Sequence, residues 1–282
     1  MRRSPRLVIA GIILLVGIMG YFANQSINPV TGEKQYVAMS PQQEIALGLN
    51  SAPQMAAEFG GLDPQERIQQ AVQAIGARLV RESVAGKTDY RFSFHVLADR
   101  NTVNAFALPG GPVFITRALL DRLPSEAAVA GVLGHEIGHV VARHSSEHIA
   151  KSQLGQSIIG AVGVAASDDY RRGQSAAMVA AMVTQMVQMR YGRNDELESD
   201  RLGVQIMSEA RYDPRALLNV MKILEKASSG RSRQPEFMST HPDPGNRLQH
   251  LEQEIARRFP NGVPDDFKAG NQPMREGPAE AR

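Results

Sequence analysis

The 282-residue chain contains no cysteine. That excludes a disulfide, a thiolate nucleophile and any cysteine-ligated zinc or iron–sulfur site, so a bound metal must draw on carboxylates and the seven histidines. Tryptophan is absent too, and aromatic residues make up only 5%, which weakens any stacking platform for single-stranded nucleic acid. Neither sign of charge is in excess. With 31 basic and 29 acidic side chains the net charge is +2, too balanced for a nucleic-acid binder held by charge, so no nucleic-acid partner is expected. What is present, 43% hydrophobic and 21% charged residues, is a globular balance at a length suited to one large domain or two smaller ones.

The two ends stand apart from this balance. Residues 1–6, MRRSPR, form a basic flank, and residues 7–23, LVIAGIILLVGIMGYFA, form an apolar run at the short limit for a membrane helix of about 20 residues. A positive flank before such a run is a signal-anchor or signal peptide that leaves the arginines in the cytoplasm and exports the rest. Tyr21 stands where a cleavage site prefers a small residue, which favours an uncleaved anchor, with a cleaved soluble form as the alternative. Residues 24–36 read as a linker, 37–258 as one domain, and 259–282, broken by Pro260, Pro264, Pro273 and Pro278, as a flexible tail.

Within 37–258 the punctuation is mainly helical, so the expected fold class is mainly α with a small β-sheet (α+β). Ser40-Pro41-Gln42-Gln43 and Asp63-Pro64-Gln65-Glu66 each place a cap, a proline at the first helical position and a capping-box partner, which predicts helices starting near 41 and 64. RFSFHVL at 91–97 alternates as a half-buried strand does. Asn104 to Leu108, then Pro109-Gly110-Gly111, then Pro112 to Thr116 read as two extended pieces around a tight turn. Helices are expected from Ser125 through the 140s and around 175–190, 194–209, 214–227 and 245–258.

The chemistry concentrates at His135-Glu136-Ile137-Gly138-His139. Helical residues four apart share a face, so both imidazoles can approach one zinc with Glu136 beside its open position. Burying two histidines and a glutamate without a cation costs several kcal/mol unless each is paired. A catalytic zinc wants a third protein ligand. Continuing the helix at about 100° per residue turns His144 roughly 140° and His148 roughly 180° from His139, which makes both surface or packing residues. Glu196 and Asp200 share a helical face, so Glu196 is the candidate ligand and Asp200 a carboxylate for the second ring proton of a ligand histidine; an ordinary solvated acidic face is the alternative. Glu198 is rotated about 200° from Glu196 and points elsewhere.

These blocks, together with Asn104-Ala105-Phe106-Ala107-Leu108-Pro109-Gly110-Gly111 and with Ser239-Thr240-His241-Pro242 followed by Arg247, resemble the M48 zinc metallopeptidases over roughly residues 37–258. The resemblance implies a zincin-like fold with an HExxH helix, one Zn2+ per chain held by His135, His139 and Glu196, catalysis by Glu136 and support from Asp200. Ser199 stands where alanine is usual and Gly192 where serine is common, both small-for-small changes.

Under this reading Glu136 activates a zinc-bound water for attack on a peptide carbonyl. His241 is the candidate for stabilising the oxyanion, with Arg247 nearby or holding its loop. In some relatives the corresponding histidine looks like a fourth ligand that restrains activity, and the two roles stay open. The strand Asn104, Ala105, Phe106, Ala107 and Leu108 would pair with an extended substrate backbone.

The apolar stretches 154–166 and 176–187 resemble a membrane hairpin of some relatives, but each is short and polar-interrupted. A pair of soluble mobile helices capping the site is expected instead. Met178, Met182, Met186 and Met189 make one helical stripe, suited to core packing or to a soft surface for apolar substrate segments. Arg171, Arg172, Arg190 and Arg193 flank the region as solvated ends.

The expected function is a zinc-dependent metalloendopeptidase acting on unfolded or misassembled envelope proteins. It would sit at a bacterial inner membrane with its catalytic domain in the periplasm, tethered to the bilayer through 7–23, with an envelope assembly complex as a candidate partner. Alternatives are a periplasmic chaperone or assembly factor with a self-restrained zinc site, and a processing peptidase for one substrate.

Overall fold

A computed structural model describes residues 5–166, 191–228, 236–242 and 245–270. The expected helix at 175–190, the stretch 176–187, the methionine stripe and Arg171, Arg172 and Arg190 lie outside the described residues, as does the tail from 271.

The chain opens with helix α1 (Pro5–Ala23), which is long and apolar enough to cross a membrane and leaves Leu7, Leu15, Val16 and Met19 more than half exposed. The segment expected as a linker is instead an antiparallel hairpin of β1 (Gln25–Ile27) and β2 (Lys34–Tyr36). Buried Asn28 fixes this hairpin: its amide donates to Gln35 and to the Val141 carbonyl, and its oxygen accepts from the Val30 and Thr31 amides. An Asx turn can be read in a sequence, but its docking on residue 141 cannot.

Helix α2 (Pro41–Glu58) starts at the expected capping box, with Ser40 Oγ accepting from the Gln43 amide and Gln43 answering to the Ser40 amide. Helix α3 (Glu66–Arg81) starts two residues later than the Asp-Pro signal suggests. The reason is tertiary: Asp63 is buried, accepting from Arg117 at 3.2 Å and from the Gln65 amide at 2.9 Å, so it tethers the helix entry without capping it.

Strands β3 (Ser93–Leu97), β4 (Ala105–Ala107) and β5 (Pro112–Thr116) form a sheet of order β3-β5-β4. β3 runs parallel to β5, and β4 pairs antiparallel with it in the register Ala105 with Ile115 and Ala107 with Val113, the expected turn-linked pair. Gly110 takes φ +76°, and a Cβ there would meet the Ile45 and Glu44 backbone near 2.4 Å, so this turn needs glycine.

After the short α4 (Arg117–Leu120), helix α5 (Glu126–Ala142) is capped by Ser125, and every residue from Ala127 to Ala142 is buried. It stops at Arg143, which takes the left-handed φ of +63°. That conformation is uncommon for a bulky side chain. Here the guanidinium holds it, donating to Glu44 at 2.9 Å and to the Met39 carbonyl at 2.6 Å. The chain then turns directly into α6 (His144–Ala166). Residues 154–166, expected as a helix capping the site, are the end of α6 and pack along α1, where a Cβ on Gly17 would come 2.5 Å from Ser157 Cβ.

Helices α7 (Arg193–Glu209), α8 (Arg215–Ser228) and α10 (Arg247–Arg258) fall within a residue or two of the expected spans, and the short α9 (Glu236–Thr240), where no helix was expected, lies between the last two. One core joins α3, the sheet, α5, α7 and α8 through Val72, Leu79, Ile115, Leu133, Met207 and Leu217, all buried. Among the described residues the most extensive helix pairing is α5 on α7, where small residues face each other: a Cβ on Gly138 would lie 2.7 Å from Ser199 Oγ. Residues 259–270 are not loose as expected. The Ala269 carbonyl accepts from the Ala127 amide, Lys268 donates to the Arg211 carbonyl, and Phe267 packs edge-on against Phe259.

Candidate metal centre

The α5–α7 pairing decides where the polar side chains meet. α5 carries His135 and His139 one turn apart, and α7 carries Glu196 and Asp200 one turn apart. His241 follows α9, and Arg247 opens α10. All six are at most 2% exposed.

One ligand atom from each of His135, His139, Glu196 and His241 lies within 4.8 Å of the others. The closest approaches are tighter. His135 Nε2 is 3.1 Å from His139 Nε2 and 3.3 Å from His241 Nδ1, which in turn is 3.0 Å from Glu196 Oε1. Glu196 oxygens stand 3.6 Å from His135 Nε2 and 3.5 Å from His139 Nε2.

Donors placed tetrahedrally at 2.0–2.2 Å from one cation are separated by about 3.3–3.6 Å, so these spacings fit a shared ion. The donor chemistry fits as well. Three imidazole nitrogens and a carboxylate oxygen facing one buried position are the histidine and carboxylate donors that zinc takes, and one cation would satisfy all of them at once. Glu136 Oε1 is a buried oxygen with no hydrogen bond among the described residues and lies 3.6 Å from His241 Nε2.

The charge states suit this assembly. Burial drives the His139 ring well toward its neutral, ligand-ready form. Burial opposes ionisation of Glu196, yet the His241 charge, hydrogen bonds from His139 and His241, and Arg247 hold its carboxyl well below the usual range. Burial also opposes the His241 charge, but Glu196 and Glu136 outweigh it and raise that histidine. Glu136 goes the other way: burial raises its carboxyl, and the Glu196 charge adds to the rise. A carboxyl raised in this way holds a proton more readily than an exposed one.

Around the cluster, Asp200 Oδ1 is 3.0 Å from His135 Nδ1, which puts the ring proton there and turns Nε2 to the shared position. Arg247 grips Asp200 through two bonds of 2.7 and 2.8 Å, lies 2.8 Å from Glu196 Oε2 and donates to the His241 carbonyl at 3.4 Å. Its place is therefore behind the carboxylates, holding them and the His241 loop. Burial resists the Asp200 charge, but Arg247 and His135 keep that carboxyl below its ordinary range.

The strand expected to receive substrate is the sheet edge, but its side chains are covered: Asn104 and Ala105 are fully buried, Phe106 is 5% exposed and Leu108 is 1% exposed. Its C-terminal end borders the site, because Ala107, Leu108, His139 and Ser145 line one small cavity of about 10 Å³. That space admits no more than a water molecule.

Sequence reasoning missed two neighbours and misplaced a third. His144, expected as a surface or packing residue turned away from His139, is 2% exposed and sits 2.8 Å from it, because the left-handed turn at Arg143 voids the continuous-helix angle. Glu198, expected to point elsewhere, reaches His144 at 3.2 Å. Tyr191 carried no signal; it stacks on His139 with ring centroids 4.0 Å apart and bonds Ser145 through its hydroxyl. His148 pairs with Asp195 at 2.7 Å, away from the cluster.

A buried HExxH helix, an acidic helix crossing it and a third histidine from a loop define a metalloendopeptidase of the zincin type. The profile of peptidase family M48 matches residues 66–255, and the chain belongs to that family. It is 28% identical to the mitochondrial metalloendopeptidase OMA1 of Schizosaccharomyces pombe over 87% of this chain and 71% of that protein. It is 28% identical to the mitochondrial metalloendopeptidase OMA1 of Bos taurus over 86% of this chain and 48% of that protein. It is 30% identical to the beta-barrel assembly-enhancing protease of Yersinia pestis over 81% of this chain. The chain spans about half the length of the last two, at 48% and 47%.

Proposed function

We propose that this chain is a zinc-dependent endopeptidase that cleaves unfolded or misassembled proteins of a bacterial envelope, with His135, His139 and Glu196 holding the ion and Glu136 as the base. The observation that carries the reading is the convergence of two helix imidazoles and a carboxylate from a second helix, with the raised Glu136 carboxyl beside them. Neutral imidazoles with one carboxylate suit zinc. A zinc ion held there would supply a more acidic bound water and would polarise a carbonyl oxygen. Glu136 accepts the proton and hands it to the departing amine. Asp200 keeps the His135 proton on Nδ1, and Arg247 keeps Asp200 in place.

The same geometry favours a second reading for His241, as a fourth donor that restrains the site. Its Nδ1 faces Glu196 while its Nε2 faces Glu136, so one ring fills the position a water needs and engages the base. A chaperone or assembly role with slow hydrolysis follows if that contact rarely opens. Support for a tether comes from α1, which among the described residues is the one helix long and apolar enough to cross a membrane. With the basic residues before α1 on the cytoplasmic side, the catalytic domain faces the periplasm.

The test compares the parent with Glu136→Gln on unfolded casein at equal metal content. Loss of cleavage with the metal retained supports the assignment of the base; equal cleavage by both removes it. If neither cleaves but both suppress client aggregation, the chaperone reading stands in its place.

A further inference from the structure

The two helix histidines of the cluster are backed differently. His135 meets a carboxylate directly through Asp200. His139 meets another imidazole: its Nδ1 lies 2.8 Å from His144 Nδ1, and His144 Nε2 lies 3.2 Å from Glu198 Oε2. A histidine that offers Nε2 to a cation carries its proton on Nδ1. His139 Nδ1–H must then donate to His144 Nδ1, which leaves the His144 proton on Nε2, donating to Glu198. These directions form one consistent chain, and the opposite tautomer of His144 would set two N–H groups against each other.

From this geometry we infer that His144 and Glu198 are positioning residues for the metal, a histidine–carboxylate relay that sets the tautomer and ring angle of His139 as Asp200 does for His135. The inference rests on reading His139 as a ligand. Three features fit it to that task. The first is burial: His144 is 2% exposed, so its acceptor nitrogen has no competing solvent. The second is the face contact of Tyr191 on His139, with centroids 4.0 Å apart, which fixes the ring plane while His144 fixes its edge. The third is the abrupt turn at Arg143, which alone brings residue 144 back over residue 139. Glu198 keeps a 24% exposed side chain with Arg201 3.7 Å away, so the relay runs from a ligand to the rim of the domain.

The experiment measures cobalt and zinc affinity of the full chain by chelator competition, together with the visible spectrum of the cobalt form. Removing an outer partner of a ligand histidine lowers affinity about 10–100-fold. His144→Leu is expected to lose about that much and to shift the cobalt bands. His144→Asn, whose amide oxygen can stand where Nδ1 stood, is expected to recover affinity to within about threefold of the parent. Glu198→Ala, at a partly exposed position, is expected to lose roughly three- to tenfold and provides the test if His144→Leu fails to fold. His139→Ala separates the underlying reading from this one: if it keeps parental affinity, the ligand assignment itself fails. If it loses the metal while His144→Leu keeps both affinity and spectrum, or while folded His144→Asn is no better than His144→Leu, the relay is overturned.

Discussion

Replacing Gly138 by alanine should separate the two helices that bear the donor cluster. An added Cβ would lie 2.7 Å from Ser199 Oγ, 2.9 Å from the Ser199 carbonyl oxygen and 3.2 Å from Ser199 Cα. The hydroxyl can rotate away, but the backbone atoms cannot. Carbon pairs rest at about 3.5–4.0 Å, so α7 must retreat by roughly half an ångström. Glu196 and Asp200 lie on the same helix within one turn of Ser199, whereas metal–ligand distances tolerate only about 0.2 Å. Overpacking of this kind costs about 1–3 kcal/mol, and the better helix propensity of alanine returns about 0.5–1 kcal/mol. The net loss, between near zero and about 2.5 kcal/mol, lowers Tm by up to about 10 °C for a domain of this size, and metal affinity falls at least about tenfold. Gly134→Ala on the same helix is the control, because its Cβ meets neighbours only from 3.5 Å outward and should leave both quantities near parental values or slightly improved. The assay is thermal melting of the metal-free chain with chelator-competition titration of zinc. Parental Tm and affinity in Gly138→Ala would mean that the α5–α7 contact does not set the site.

Asp200→Asn should destabilise the metal-free chain by about 3–5 kcal/mol at neutral pH, because it strips a paired anion from buried Arg247. The Asp200 carboxyl is held below its unfolded value near 3.9, so its contribution is complete above that value and fades as pH falls through the folded one. Urea midpoints of parent and variant should therefore converge at low pH; a constant gap between pH 7 and pH 3 would refute the pairing. His241→Ala should raise casein cleavage at saturating zinc if the ring restrains the site, and lower it if the ring stabilises the oxyanion; unchanged turnover would exclude both roles. Ser199→Ala removes only the hydroxyl bond to the His135 carbonyl, so it should cost about 1 kcal/mol and leave metal affinity within a few-fold, as read by the same titration.

Much of the site was legible because its spacing is helical. His135 with His139 and Glu196 with Asp200 are both i and i+4, and four residues bring side chains to one face whatever surrounds them. The Ser40 cap and the helix start at Ser125 were equally local, and so was the Pro-Gly-Gly turn between β4 and β5. What escaped depends on distant partners. Arg143 adopts its left-handed turn because Glu44 and Met39, 99 and 104 residues earlier, receive its guanidinium. No local pattern announces that, so the angular argument carried His144 to the wrong side. The hairpin at 25–36 and the docked segment 259–270 are likewise held by Val141, Ala127 and Arg211, far along the chain. The edge strand was recognised from its residues, but its covered side chains reflect the packing around it.

The most direct test of the account is the metal content of the purified chain after exhaustive dialysis, measured for the parent, Glu136→Gln and Glu196→Gln. Close to one zinc per chain is expected in the parent and in Glu136→Gln, and a near-complete loss in Glu196→Gln with the fold retained. Stoichiometric zinc of undiminished affinity in Glu196→Gln would contradict it, because the carboxylate at 196 would then be no part of what holds the ion.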